Sequence, residues 1–375
     1  MSTILPIIMP KWGLAMTEGT VTTWWKRAGE VFAEGVDLVD IETSKITNGY
    51  EAPFSGRLAR IVANEGEAVL VGGLIGVSAP ESVSDAEIDR FVADFQANFV
   101  PDIVEDAEDA GLQRRMVMVD DANYCVGVRG DLSGGQATVL IHGFSGDLDN
   151  WLFNVDAIAE IGPVVSVDLP GHGASDKQLK EGTVAELAYV VRQVLDKLGI
   201  KRADVVGHSL GGAVAMRVAI DDPKLVRSIV LLSSAGLPGA VVNNDFIRGV
   251  VDAQNGRQLL PALKLLFADP DLATREMADE MMKYKRLDGV DEALAKIASR
   301  IDAGDEFAIL HAQLASLPRT TVIHGRIDQV VSFPDRGALP AGWRVIEVES
   351  GHMPQFEMAE EINGLIAGAL AGADA

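Results

Sequence analysis

A single cysteine, Cys125, serves all 375 residues, so no intrachain disulfide can form and a reducing compartment fits. No motif surrounds that thiol, and a buried strand residue is its expected role. No apolar run reaches the ~20 residues of a membrane-spanning helix, so no membrane association is expected. The opening Met1-Ser2-Thr3-Ile4 lacks a basic stretch followed by an apolar one. A secretory signal is therefore not expected, and a cytoplasmic location is. Positive charge is scarce: 32 Lys and Arg face 55 Asp and Glu, for a formal net charge of −23. Phosphate backbones would be repelled on average, which argues against nucleic-acid binding. Six histidines are present, but no pair has metal-ligand spacing in a convincing context, so no metal is predicted.

What remains is an ordinary globular mix, 48% hydrophobic and 23% charged, long enough for two or three domains. The first region reads as short strands with Gly- and Glu-rich turns, and it repeats. The stretch Gly19 to Val31 matches the stretch Gly56 to Ala68: in each, a glycine precedes alternating apolar residues and a Gly-Glu turn follows. One half has too few apolar positions for a core, whereas two halves packed face to face would bury one. Lys45 lies between the halves in Glu42-Thr43-Ser44-Lys45-Ile46, with the turn-forming pair Asn48-Gly49 close behind. That context puts Lys45 on an exposed hairpin. Taken alone, it would be a solvated surface lysine.

Residues 1–79 resemble a biotinyl/lipoyl attachment domain along their whole length, including Met9-Pro10 and Ala52-Pro53-Phe54-Ser55-Gly56. The resemblance implies a covalent prosthetic group on Lys45. Biotin domains flank their lysine with methionines. Ser44 and Ile46 stand here instead, so lipoate is the expected group.

Residues 80–114 read as an acidic linker holding one amphipathic helix. Ile88, Phe91, Val92, Phe95 and Phe99 fall at helical spacing, with Ser84 or Asp85 as N-cap. The expected partner of that apolar face is the large domain that follows, and a partner enzyme is the alternative.

From 115 to 375 the pattern changes to strand–helix alternation. Apolar runs at 137–141, 164–167, 203–206, 228–232 and 321–323 read as buried strands, which indicates a largely parallel, doubly wound sheet with helices on both faces. Gly207-His208-Ser209-Leu210-Gly211 sits between such a strand and a helix-like run. A sharp strand-to-helix turn leaves no room for side chains at the glycines and projects the serine oxygen into open space. His142-Gly143-Phe144 follows an earlier strand, and its Phe144 amide could join that of Leu210 in holding an oxyanion. Asp328, in His324-Gly325-Arg326-Ile327-Asp328, and His352, in Gly351-His352-Met353-Pro354, follow later strands.

With Asp168-Leu169-Pro170-Gly171-His172-Gly173 and Asp149-Asn150-Trp151, these pieces make the region resemble the α/β-hydrolase fold nearly end to end. The chain order Ser209, Asp328, His352 is that of the family. Ser209 is the expected nucleophile, His352 its base, and Asp328 the carboxylate that orients the base. His142, His172, His208 and His324 are expected to be structural or pocket-lining, and His311 to lie on a surface. Residues 237–316 interrupt the sheet pattern with helices and are expected to cap the site. Within them Lys283, Lys285 and Arg286 form a basic group, read either as a solvated helix end or as contacts to coenzyme A phosphates.

A lipoyl domain joined to an α/β-hydrolase domain resembles the acetyltransferase components of bacterial acetoin dehydrogenase (acetoin-cleaving) complexes. The resemblance implies transfer of acetyl from dihydrolipoyl-Lys45 to coenzyme A. It also implies a homo-oligomer that works with a thiamine-diphosphate-dependent acetoin-cleaving enzyme and a flavin dihydrolipoamide dehydrogenase. The alternative is a hydrolase of esters, thioesters or carbon–carbon bonds that carries the lipoyl domain as a docking module.

Overall fold

The computed structural model describes residues 4–10, 18–42, 47–99 and 112–372. The chain divides into two compact units, Met1–Ala110 and Gly111–Ala375.

The N-terminal unit holds β1 (Leu5–Ile8), β2 (Glu18–Trp24), β3 (Val31–Phe32), β4 (Asp37–Glu42), β5 (Thr47–Glu51), β6 (Gly56–Ile61), β7 (Ala68–Leu70) and β8 (Leu74–Ser78). They form two antiparallel sheets, ordered β1-β8-β6-β3 and β5-β4-β2-β7. Val21, Leu38, Ile41, Leu58 and Ile75 bury the shared core.

The sequence repeat explains this arrangement. Its two copies place β2 in one sheet and β6 in the other. Each Gly-Glu turn then docks on the other copy's strand. Gly29 N–H donates to Leu58 O at 2.7 Å, and Gly66 N–H donates to Val21 O at 2.7 Å. The glutamates close both turns alike: Glu30 accepts the Arg27 N–H at 2.9 Å and Glu67 the Asn64 N–H at 2.8 Å. Both turn glycines have positive φ, +98° and +88°, where a side chain would be strained.

β4 and β5 pair antiparallel as far as Glu42 and Thr47. The predicted attachment residue, Lys45, falls between them and lies outside the described residues. The Asn48-Gly49 pair is not a turn but part of β5, opposite Ile41 and Asp40. A Cβ on Gly49 would sit 3.0 Å from Asp37 Oδ1, a tight contact that a shift of the exposed Asp37 side chain could relieve.

Helix α1 (Asp85–Asn98) starts at a capping box, with the Ser84 N–H donating to the Glu87 carboxylate at 2.9 Å. Its apolar face of Ile88, Phe91, Val92 and Phe95 packs on Leu74, Val77 and Ala79, and Arg60 pairs with Asp85 and Asp89. The helix thus belongs to the N-terminal unit, which corrects the expectation that it covers the large domain. An amphipathic face records that something covers it, not what does.

The C-terminal unit begins with the hairpin β9 (Gln113–Val119) and β10 (Ala122–Arg129). Cys125 is buried on β10, and burial pushes its thiol up to about 11, which leaves it unreactive. Next come β11 (Gln136–Ile141), α2 (Val155–Ala159), β12 (Val164–Val167), α3 (Val184–Lys197), β13 (Arg202–His208), α4 (Leu210–Asp221) and β14 (Val226–Leu232). Five helices follow, α5 (Asn244–Val251), α6 (Gly256–Lys264), α7 (Arg275–Lys285), α8 (Val290–Ala303) and α9 (Asp305–His311), and then the strands β15 (Arg319–Gly325) and β16 (Arg344–Val348). Two helices, α10 (Pro354–Glu357) and α11 (Ala359–Ala371), end the described chain.

The eight strands run β16-β15-β14-β13-β11-β12-β10-β9, and β11 to β16 are parallel. Side chains alternate between two cores. Val139, Ile141, Val205, Ile229 and Leu231 face the core shared with α3, α4 and the cap. Leu140, Val206, Val230, Leu232 and Ile323 face the core shared with α2 and α11. Because β11 has β12 on one side and β13 on the other, the crossovers diverge at its carboxyl end. Open α/β sheets place their ligand crevice at such a switch point. Helices α5 to α9, the cap region, are inserted between β14 and β15.

Candidate active site

Ser209 stands between the end of β13 and the start of α4 with φ +53° and ψ −119°, a conformation that non-glycine residues rarely adopt. The neighbouring glycines make that turn possible. A Cβ on Gly207 would lie 2.4 Å from Gly211 O, and one on Gly211 would lie 2.3 Å from Ile141 O. Gly207 is thus packed on the first turn of α4 and Gly211 on the end of β11, and the serine between them lines a cavity.

The Asp328 carboxylate is fixed before it meets any imidazole. One oxygen, Oδ1, accepts the N–H groups of Val330 at 2.8 Å and Val331 at 2.9 Å. The other, Oδ2, lies 2.8 Å from His352 Nδ1. Burial alone would raise the Asp328 carboxyl. The positive charge available on His352, their hydrogen bond and His324 outweigh it, so the group sits below its ordinary range. An ionised carboxylate can only accept, so the bond to Asp328 is donated from His352 Nδ1 and leaves Nε2 as the other ring nitrogen.

The main chain of His352 is also held at both ends. Its N–H donates to Leu266 O at 2.8 Å. Its carbonyl accepts from His208 Nε2 at 2.8 Å, and the two rings lie 4.7 Å apart between centroids. Burial pushes His208 down to about 3, so that ring stays neutral and adds no second charge beside the base.

Ser209 and His352 line one cavity of about 220 Å³. Gly143, Phe144, Asp149 and Asn150 form its rim on the sheet side, and Phe246, Leu263, Leu266, Phe267, Met277 and Met281 come from the cap region. The predicted oxyanion donors fit in different ways. The amide of Leu210 opens α4, at the positive end of the helix dipole, and Phe144 lies in the cavity wall. Neither amide has a hydrogen-bond partner among the described residues.

A larger cleft of about 700 Å³ lies elsewhere, beside Asp176, Lys177 and Lys296, and holds none of the predicted residues. Its two lysines are engaged with the carbonyls of Gly173 and Leu179. Chemistry rather than volume therefore selects the smaller cavity.

The remaining histidines are structural in their bonding. His142 donates to Gly143 O at 2.8 Å and accepts from the Leu169 N–H at 3.0 Å, and burial lowers it to about 4. His172 bonds Pro170 O at 3.0 Å and is lowered to about 3 by burial. His324 is buried against Val331 O at 3.0 Å, and His311 is exposed at the end of α9.

The basic group on α7 divides. Lys285 is 2% exposed, and its ammonium bonds Val251 O at 2.9 Å and Ala253 O at 3.3 Å, as well as Val250 O. It also lies 3.3 Å from Asp291. Its donors are spent on carbonyls at the end of α5, which corrects its assignment as a coenzyme A contact. Lys283 pairs with Glu280 at 2.6 Å, and Arg286 is exposed. None of the three lines the cavity.

The motif reading missed the cap's side chains, for which apolar helix periodicity gave only a class.

Among the described residues, no helix is long and apolar enough to cross a membrane, and no group of His, Cys, Asp and Glu could hold a metal ion. Residues 138–365 match the alpha/beta hydrolase family, and residues 6–77 match the family described as biotin-requiring enzyme. Among solved structures, the 2-hydroxy-6-oxo-6-phenylhexa-2,4-dienoate hydrolase from Rhodococcus sp. strain RHA1 superposes with a TM-score of 0.62 at 21% identity. It covers 69% of this chain and 99% of its own, a likeness of fold. Two curated relatives extend over both units. The dihydrolipoyllysine-residue acetyltransferase component of the acetoin cleaving system of Cupriavidus necator is 43% identical over 99% of this chain and 98% of its own length. Its counterpart from Pseudomonas putida is 41% identical over 97% of each. With both modules matched in one continuous alignment, the chain belongs to the family of dihydrolipoyllysine-residue acetyltransferase components of acetoin cleaving systems.

Proposed function

We propose that this chain passes an acetyl group from a dihydrolipoyl arm on Lys45 to coenzyme A, using Ser209, His352 and Asp328. The observation that carries the reading is the hydrogen-bonded pair Asp328–His352, with His352 lining the same largely apolar cavity as Ser209, in a chain that also has a biotin/lipoyl-type module. The cavity wall of Leu263, Leu266, Phe267, Met277 and Met281 suits an aliphatic arm. When bound, the dihydrolipoyl group supplies the acetyl as a thioester.

His352 Nε2 takes the proton of Ser209 as its oxygen adds to the thioester carbonyl. The amides of Phe144 and Leu210 hold the resulting oxyanion. His352 returns the proton to the departing sulfur, which leaves acetyl-Ser209. It then takes a proton from the coenzyme A thiol, whose sulfur adds to the acetyl carbonyl, and Ser209 leaves reprotonated. Water competes at a concentration ~10⁵ higher, a handicap on the order of 7 kcal/mol at equal reactivity. The apolar cap wall, the better nucleophilicity of a thiolate and bound orientation offset it. Lys283 and Arg286 are the candidate contacts to coenzyme A phosphates that stay available at the surface. The partners in this reading are a thiamine-diphosphate-dependent acetoin-cleaving enzyme and a flavin dihydrolipoamide dehydrogenase.

A product assay tests it. S-acetyl-dihydrolipoamide and coenzyme A are supplied to the wild type and to Ser209→Ala. Acetyl-coenzyme A that forms only with Ser209 present is the expected result. Free acetate in its place would make the chain a hydrolase with an attached module.

A further inference from the structure

His352 sits on the loop between β16 and α10, and a base on a loop needs its main chain fixed. Part of the fixing comes from the cap. The segment after α6, Leu266-Phe267-Ala268, lies directly on Gly351. A Cβ at Gly351 would meet Ala268 N at 2.5 Å and the carbonyl carbon of Phe267 at 2.7 Å. That same segment accepts the His352 N–H at Leu266 O and supplies Leu266 and Phe267 to the cavity wall.

One carboxylate spans the junction. Glu357 Oε1 accepts the Gly351 N–H at 2.9 Å, and Glu357 Oε2 accepts the Ala268 N–H at 2.8 Å. The first donor belongs to the residue before the base, and the second to the cap. We propose that Glu357 is a positioning residue, a two-pronged clamp that sets the His352 loop against the cap wall and so aims the imidazole at Ser209. A purely structural acid would be served by any two donors. This one takes its donors from the two segments whose relative placement decides where Nε2 points. Burial raises the Glu357 carboxyl, yet three main-chain N–H groups, Ala268, Gly351 and Met353, favour its charged form.

The inference rests on Ser209 and His352 acting as nucleophile and base, so the test must separate the two claims. Fluorophosphonate labelling of Ser209 and turnover of 4-nitrophenyl acetate need only the triad, not the arm or coenzyme A. They are measured on the full chain for wild type and Glu357→Gln, which keeps the shape but turns an amide NH₂ toward one of the two donors. A wild type that does not label at Ser209 overturns the underlying triad and this inference with it.

With a labelling wild type, the expected result for the variant is a 10- to 100-fold lower labelling rate and kcat, the scale of a misaimed catalytic group. KM should stay within about threefold. The downfield Nδ1 proton resonance of His352 should move, because its bond to Asp328 depends on loop placement. An unchanged kcat and resonance would overturn the proposal, as would a raised KM at constant kcat. Should the glutamine variant fail to fold, Glu357→Asp is measured in the same way. It keeps the charge but cannot reach both donors, so wild-type rates from it would overturn the clamp equally.

Discussion

The two units bury different things. Of twenty-one buried polar or charged residues among those described, Ser78 alone belongs to the N-terminal unit. The C-terminal unit buries the other twenty, including five of the chain's six histidines. A polar group under cover costs stability unless its bonds are met, so a unit accepts many only where they serve chemistry or hold a special shape. The N-terminal unit needs neither. Its repeat closes a small apolar core with turns, and in the proposed reading its one chemical residue is Lys45, which falls between β4 and β5 in the sequence. The C-terminal unit gathers His142, Asp168, His208, Ser209 and His352 at the carboxyl ends of its parallel strands. In that reading one unit presents a group and the other encloses one.

The sharpest way to break this contrast is to disable each unit's residue separately. Ser209→Ala should lower acetyl transfer by about 10⁴-fold or more, whether the acetyl donor is the chain's own arm or free S-acetyl-dihydrolipoamide. Lys45→Arg should abolish transfer from the chain's own arm yet leave turnover of the free donor within about twofold. Acetyl-coenzyme A release with both donors measures both effects. A Lys45→Arg variant equally dead with the free donor would show that the units do not divide the work in this way.

Asp328→Asn comes next. The amide can no longer hold the Nδ1–H tautomer of His352, and turnover of the free donor should fall by about 10³ to 10⁴-fold with little change in KM. The prediction follows from the bonding of Asp328. With Oδ1 committed to Val330 and Val331, Oδ2 is the atom that faces His352, and an NH₂ at that position cannot accept.

How far these features were legible depends on whether they were local. The strands β11 to β15 showed as apolar runs because both faces of a parallel sheet are covered. The Ser209 elbow showed because close packing permits only glycine at 207, against the first turn of α4, and at 211, against the end of β11. β9 gives no such signal, because it opens with exposed Gln113, Arg114 and Arg115 and carries no continuous apolar run. What the sequence hid were pairings across distance. His208, at the end of β13, reaches the His352 carbonyl beyond β16, 144 positions away in sequence, and Glu357 reaches Ala268 in the cap. Lys285 read as one of a basic cluster, and only the fold shows its ammonium turned inward.

Proton uptake offers a contrast of medium size. The N-terminal unit contains no histidine. The C-terminal unit holds His142, lowered to about 4, and His172 and His208, lowered to about 3, all by burial. An unfolded chain takes up a proton at each ring near pH 6.5, whereas the folded chain does not until far lower. The stability they allow is therefore complete above pH 6.5 and drains as the pH falls below it. Each ring costs roughly 1 kcal/mol between pH 7.5 and 5.5. Asp147, raised to about 6 by burial, has the opposite sign, because its folded form gains a proton first, and it offsets less than one histidine. Calorimetry should show the C-terminal transition weakening by about 2 to 3 kcal/mol over that range while the N-terminal one stays in place. Transitions that shift together would break the comparison.

The smallest effect concerns a buried charge that does no chemistry. Lys285 fastens α7 to the end of α5 by donating to the carbonyls of Val250, Val251 and Ala253, beside Asp291. Lys285→Met keeps the length and apolar stem but strands those carbonyls in a dry site, at a cost of about 2 kcal/mol to the C-terminal unit. Since the ammonium is turned inward, the KM for coenzyme A should change by less than about twofold in the folded fraction. Urea unfolding and steady-state kinetics at 25 °C check the two halves of this statement. A large rise in the KM for coenzyme A at unchanged stability would return Lys285 to the surface chemistry suggested by its basic neighbours. The expected loss of stability at unchanged KM assigns it to the cap's architecture, and shows that the C-terminal unit spends buried polarity on holding its enclosure as well as on the site within.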